Sequence, residues 1–187
     1  MTATTGDAEQ EYLLHYWFTE PMNKHWFVAE VETDKEITEK FERLWVLAAD
    51  NKLQHWQHSA QGCLALCIVL DQLPLNMYRG LAKCFSTEKQ AVTISKHALS
   101  LQFDEQIAAD KVAFLIMPLM HSENLADQDL SVSLFEKHQL DANLRFARHH
   151  RDIVKRFGRF PHRNRILGRA SSADELTYLN SAQAFTG

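Results

Sequence analysis

Ser59-Ala60-Gln61-Gly62-Cys63-Leu64-Ala65-Leu66-Cys67-Ile68-Val69-Leu70-Asp71-Gln72-Leu73-Pro74 is the stretch that decides the fold. A serine hydroxyl accepts hydrogen bonds from the free N–H groups of a first helical turn, so Ser59 is a fitting start. Gln61 to Leu73 predicts a helix that stops before Pro74. It is apolar nearly all round at Leu64–Leu70, which places it at the centre of the fold. That short run alone also fits a buried strand, since its period is indecisive. The rest of the chain decides for helix.

The chain has 187 residues, with six Gly and four Pro. Together they are about 5% of the chain against a usual ~12%, which disfavours turn-rich all-β and low-complexity proteins. A chain of this length is expected to form one globular domain, residues 1–187, with residues 1–6 as a flexible start. Upstream of the central stretch, a helix is predicted from about Asp7 to Phe18. Thr33-x-x-Glu36 reads as a capping box before Ile37, Phe41, Leu44 and Ala48. Downstream, Thr87-x-x-Gln90 reads as another start, with Ala91, Ile94, Ala98 and Leu99 facing inward. Ala108–Met117 meets Pro118, which is expected to end or kink that helix. Glu123–Gln139 and Asp141–Phe157 follow, the latter stopped by Gly158. Ser172-x-x-Glu175 opens a last helix to about Gln183. The expectation is an all-α domain of seven or eight helices in antiparallel pairs.

Charge is strongly segregated. Residues 1–42 hold ten acids and three bases, whereas residues 145–169 hold nine bases against Asp152. Eight of the ten arginines lie in that second segment. Arginine presents a planar fork suited to carboxylate and phosphate. At 100° per residue, Leu140, Ala147, Ile153, Val154 and Phe157 share one face with His150, and Arg145, Arg148, His149, Asp152, Lys155 and Arg156 lie opposite. A buried His150 needs partners for its ring nitrogens.

Several chemistries are disfavoured. No run of eighteen residues is apolar throughout, so no membrane span is expected. The start, with Asp7 and Glu9, lacks the apolar core of a secretory signal. Three cysteines do not make a disulfide framework, which points to a reduced, cytoplasmic setting. Cys63 and Cys67 read as buried hydrophobes, and Cys84 sits in a turn with no assigned base. No glycine-rich phosphate loop, dinucleotide fingerprint or metalloprotease signature is present, so neither a cofactor nor a metal is expected. A pI near 6.2 disfavours nucleic acid as a partner.

Three further stretches carry a family resemblance. They are Leu70-Asp71-Gln72-Leu73-Pro74-Leu75-Asn76-Met77-Tyr78-Arg79-Gly80, Met117-Pro118-Leu119-Met120-His121-Ser122-Glu123, and Arg156-Phe157-Gly158-Arg159-Phe160-Pro161-His162-Arg163-Asn164, followed by Leu167-Gly168-Arg169. From Tyr16-Trp17-Phe18 to Tyr178-Leu179 the chain resembles the bacterial family known as domain of unknown function 924. The resemblance implies a tetratricopeptide-like helical fold and no particular activity. Leu75 stands where the family usually has an arginine.

These stretches place polar residues at helix ends and loops, where function concentrates on a rigid scaffold. The turns Asp71–Arg79 and His121–Glu123 and the loop Arg159–Asn164 are expected to converge. One reading is a cleft for a small anionic molecule or a peptide, built from Asp71, Gln72, Asn76, Arg79, His150, Arg156, Arg159, His162, Arg163 and Asn164. A second is an enzyme in which His121 or Glu123 moves a proton. A third is nucleic-acid binding through residues 145–169, where aromatics alternate with bases. A fourth is an ion-pair network that locks the helices and does nothing else.

Overall fold

The computed structural model describes residues 5–185. The α-helices are α1 (Thr5–Phe18), α2 (Val31–Ala49), α3 (Ala60–Cys67), α4 (Leu73–Met77), α5 (Glu88–Ser100), α6 (Val112–His121), α7 (Leu125–Lys137), α8 (Asp141–Phe157) and α9 (Ala173–Leu179). No strand occurs among the described residues. Of the segment expected to be a flexible start, residues 1–4 lie outside the described residues; Thr5 and Gly6 already belong to α1. The described residues gather into two compact units. One holds those up to Arg79 together with Lys83–Pro118; the other holds Gly80–Ala82 and those from Leu119 onward.

In the first unit the central helix runs on where a stop was expected. Ile68–Gln72 forms a π-helical turn between α3 and α4, and Pro74 sits in the first turn of α4. Proline has no N–H, so the carbonyl four residues earlier, that of Leu70, loses its α-helical donor. The buried Thr87 hydroxyl supplies one, donating to the Leu70 oxygen at 2.6 Å. Pro118 likewise lies inside α6 without ending it. Three residues before it, the Leu115 oxygen accepts from the buried Ser95 hydroxyl at 2.6 Å. Thr87 is therefore no capping-box residue: its hydroxyl is spent on Leu70, and Gln90 reaches Ala49 O. Thr33 forms no box either, because α2 begins two residues earlier, at Val31. Ser59 does cap α3, accepting from Gly62 N at 3.1 Å.

The stretch Ala60–Met77 is long and apolar enough to cross a membrane, which the sequence reading did not anticipate. It is 83% buried inside the fold, where α2 and α5 cover it. A second centre of packing in this unit is aromatic. Phe114 meets the rings of Trp17, Phe18 and Trp26 edge-on, at centroid distances of 5.8, 5.4 and 4.7 Å.

In the second unit α7 and α8 form a helical hairpin joined by residues 138–140. Arg148 reaches Glu136 and Arg151 reaches Asp129, so the partners run in opposite order and the helices are antiparallel. Asn124 caps α7, its side chain accepting from Ala126 N and Asp127 N. Ile153, Val154, Phe160 and Tyr178 make the core of this unit. Gly158, at φ 70°, ends α8 in the left-handed conformation the sequence called for. Ser172 and Glu175 complete the predicted capping box at α9, which ends at Leu179 rather than near Gln183.

Candidate functional site

The loop that follows Gly158 is held by two carboxylates. Glu123 lies just before α7, and its Oε2 and Oε1 accept from Arg169 Nη1 and Nη2 at 2.6 and 2.8 Å. Its Oε1 also accepts from the main-chain N–H of Phe160 at 2.8 Å. Burial alone would raise the pKa of Glu123, but the donors from Arg169 and Phe160 outweigh it and hold the value below normal. Glu175 is buried and takes Arg159 Nε and Nη2 at 2.6 and 2.8 Å. With Arg159 first and the Ser172 N–H in support, its pKa falls to about 2. Asn164, almost fully buried, joins the two clamps: its Oδ1 accepts from Arg169 Nε at 3.0 Å, and its Nδ2 donates to Ser171 Oγ at 3.0 Å.

Inside this frame sits a group of bases. The buried Arg163 donates through Nη2 to the main-chain oxygen of His121 at 2.9 Å, and its guanidinium lies 4.6 Å from the centre of the Phe160 ring. His150 is buried on the apolar face of α8, as its position in the helix required. Its Nδ1 lies 2.8 Å from Phe146 O, one turn back. The rings of His121 and His150 are 6.5 Å apart. Phe185 lies against this group, 4.4 Å from the His150 ring and 5.0 Å from the His162 ring. The Nδ1 atom of His162 is out of solvent with no hydrogen-bond partner among the described residues. Burial, reinforced by His121, lowers the pKa of His150 to about 3. Burial, reinforced by Arg163, lowers that of His162 to about 4. Both rings are neutral at pH 7.

His121–Glu123 and Arg159–Asn164 come together within the second unit. Asp71, Gln72, Asn76 and Arg79 belong to the first unit and are linked there by hydrogen bonds. Gln72 Nε2 donates to Asp71 Oδ2, Asn76 Nδ2 to Gln72 O, and Arg79 to Asn76 Oδ1 and to both oxygens of Asp34. Arg156 is exposed, its guanidinium over the ring of Phe157. Both oxygens of Glu123, one of the two expected proton carriers, are bonded, and its charged form is favoured. Sequence reasoning missed Arg169, Ser171, Glu175 and Phe185. Arg169 was visible in the family stretch and the basic segment, and Glu175 in its capping box, but neither signal announced a partner. Cys63, Cys67 and Cys84 are buried free thiols, and burial pushes Cys63 up to about 11. Among the described residues, no three His, Cys, Asp or Glu side chains gather as metal ligands.

A family model described as a bacterial protein of unknown function (DUF924) matches residues 13–183. The solved structure of a protein of unknown function, ATU0120 from Agrobacterium tumefaciens, is similar throughout. It shares 32% identity at a TM-score of 0.86, over 92% of this chain and 97% of that one. No curated protein matches.

Proposed function

The chain belongs to the DUF924 family of bacterial proteins, and we propose that it binds a small anionic ligand at His121, His162 and Arg163, with His150 behind them. The ligand is a carboxylate or phosphate, free or at the end of a peptide. The observation that carries this reading is the buried Nδ1 of His162, which lacks a partner. A buried polar atom left in that state calls for an explanation. Its surroundings favour an anion: the charged groups acting on His162 are Arg163, Arg169 and His121 against one carboxylate, Glu123, which Arg169 already pairs. In this reading Arg159, Arg169, Asn164, Glu123 and Glu175 are the frame and do not touch the ligand.

The acid–base alternative is weakened by the fully bonded carboxylate of Glu123. Nucleic-acid binding is weakened because Phe160 is fully buried and Arg159 and Arg169 are paired. A tetratricopeptide-like stacking of the helices and a cytoplasmic setting belong to the same proposal, the latter supported by three buried free thiols.

The test is titration with inorganic phosphate and citrate while the histidine ring signals are followed by NMR. Saturable shifts at His162, lost in His162→Gln, are the expected result. Native mass spectrometry is expected to show a bound mass that disappears on denaturation. Probes that leave His162 unmoved, with no bound mass, overturn the reading.

A further inference from the structure

We infer that the first unit carries a separate binding site for an amphipathic monocarboxylate, in the cavity between the end of α2, the turn Gln54–His58, α3 and α5. The cavity measures about 400 Å³, within the range of small-molecule sites, roughly 300–1,000 Å³. Its lining divides by chemistry. Leu53, Leu66, Leu70 and Ile94 are buried aliphatic side chains that supply an apolar floor. The polar lining consists of neutral groups and one charge. Gln54, Gln57 and Gln90 contribute amides, and Lys89 contributes an ammonium.

One feature, the ammonium of Lys89, suits this lining to a ligand with an acidic head. Lys89 is exposed at the mouth and has no acidic partner among the described residues. Gln90 is fixed in place, since its Nε2 donates to Ala49 O at 2.9 Å and to Asn51 Oδ1 at 3.4 Å. Its N–H groups are thereby spent and its oxygen can only accept, so Lys89 is the group that meets a carboxylate. A single ammonium beside neutral amides balances one negative charge, not two. An aliphatic floor of this kind takes a hydrocarbon body. A medium-chain carboxylate meets both demands, whereas phosphate and citrate, which suit the basic cluster of the second unit, lack the apolar body.

Gly62 explains how the cavity keeps its shape. A Cβ at this position would come within 1.9 Å of Trp56 O. Glycine lets the turn that carries Gln54 and Gln57 lie directly on α3.

The experiment is calorimetric titration of the whole chain with octanoate and, as a neutral control of equal body, octanol. Lys89→Gln sits at an exposed position, and circular dichroism checks that it folds. The expected result is saturable octanoate binding, weakened about tenfold in Lys89→Gln, in line with losing a charged hydrogen bond. Octanol binding is expected to be unchanged by the same substitution. Thr93→Phe, which fills the mouth from an exposed position, is expected to abolish both. His162→Gln is expected to leave octanoate binding intact, which separates this site from the anion cluster. Absence of saturable octanoate binding, or binding equal in wild type, Lys89→Gln and Thr93→Phe, overturns the inference.

Discussion

Thr87 donates its hydroxyl proton to the carbonyl oxygen of Leu70 at 2.6 Å, in the place of the N–H that Pro74 lacks. The same hydroxyl oxygen accepts from Trp45 Nε1 at 3.2 Å. Thr87→Val keeps the shape and removes both bonds. It is expected to destabilise the protein by about 1–3 kcal/mol, the cost of leaving buried polar groups unmet. Thr87→Ser is expected to lose much less. Urea denaturation of the two variants checks this, and equal midpoints would remove the role assigned to the hydroxyl.

Gly62→Ala is expected to cost about 3 kcal/mol, because the new methyl group meets backbone and cannot be accommodated by a side-chain rotation. Helix propensity alone predicts the opposite sign, a gain of about 1 kcal/mol. A thermal melt of the variant separates the two outcomes.

Glu123→Gln weakens the bidentate bond to Arg169 and the hold on Phe160 N–H. Both partners are about a quarter exposed, so a loss of about 1–3 kcal/mol is expected rather than the full cost of breaking a buried pair. Hydrogen exchange at the Phe160 amide should accelerate more than that of amides in α2. Uniform acceleration would mean the pair has no local role.

Acid should destabilise the protein in two stages. His150 and His162 ordinarily titrate near 6.5, and in the fold they are held to about 3 and about 4. Below pH 6.5 the unfolded chain takes protons that the folded one refuses. Stability from these rings is complete above 6.5 and falls on the way to pH 4, by up to about 1.4 kcal/mol per pH unit for each ring. Glu175 acts in the next window: its contribution is complete above its ordinary value near 4.5 and is lost toward pH 2. Denaturant midpoints from pH 7.5 to 3.5 test the order. His162→Gln should flatten the first stage, and a stability curve level between pH 6.5 and 4.5 would contradict the burial of neutral rings.

Much of this was legible in the chain. Asp141–Phe157 was placed to the residue, because its apolar and basic faces separate cleanly and Gly158 supplies the left-handed stop. His150 was read as buried from its angle alone. The prolines misled, since local rules say that Pro74 and Pro118 break helices. The hydroxyl that replaces the donor missing at Pro74 comes from Thr87, 13 residues away, and no local pattern announces it. At the candidate site the participating segments were visible as odd clusters of Arg, His and Asn in turns. Their pairing was not, because Glu123 and Glu175 are equally suitable acids for an arginine, and tertiary geometry assigns Arg169 to one and Arg159 to the other.

Thr87 and Ser95 stand at the start and middle of a single helix, α5, about two turns apart. That helix splints the break beside Pro74 through Thr87 and is tied to α6 through Ser95. Peeling it away would leave the Leu70 carbonyl without the Thr87 donor and break the Ser95 bond to Leu115 at the same time. Partial opening at α5 is therefore expensive, and α3, α5 and α6 should come apart as one cooperative block rather than fray in sequence.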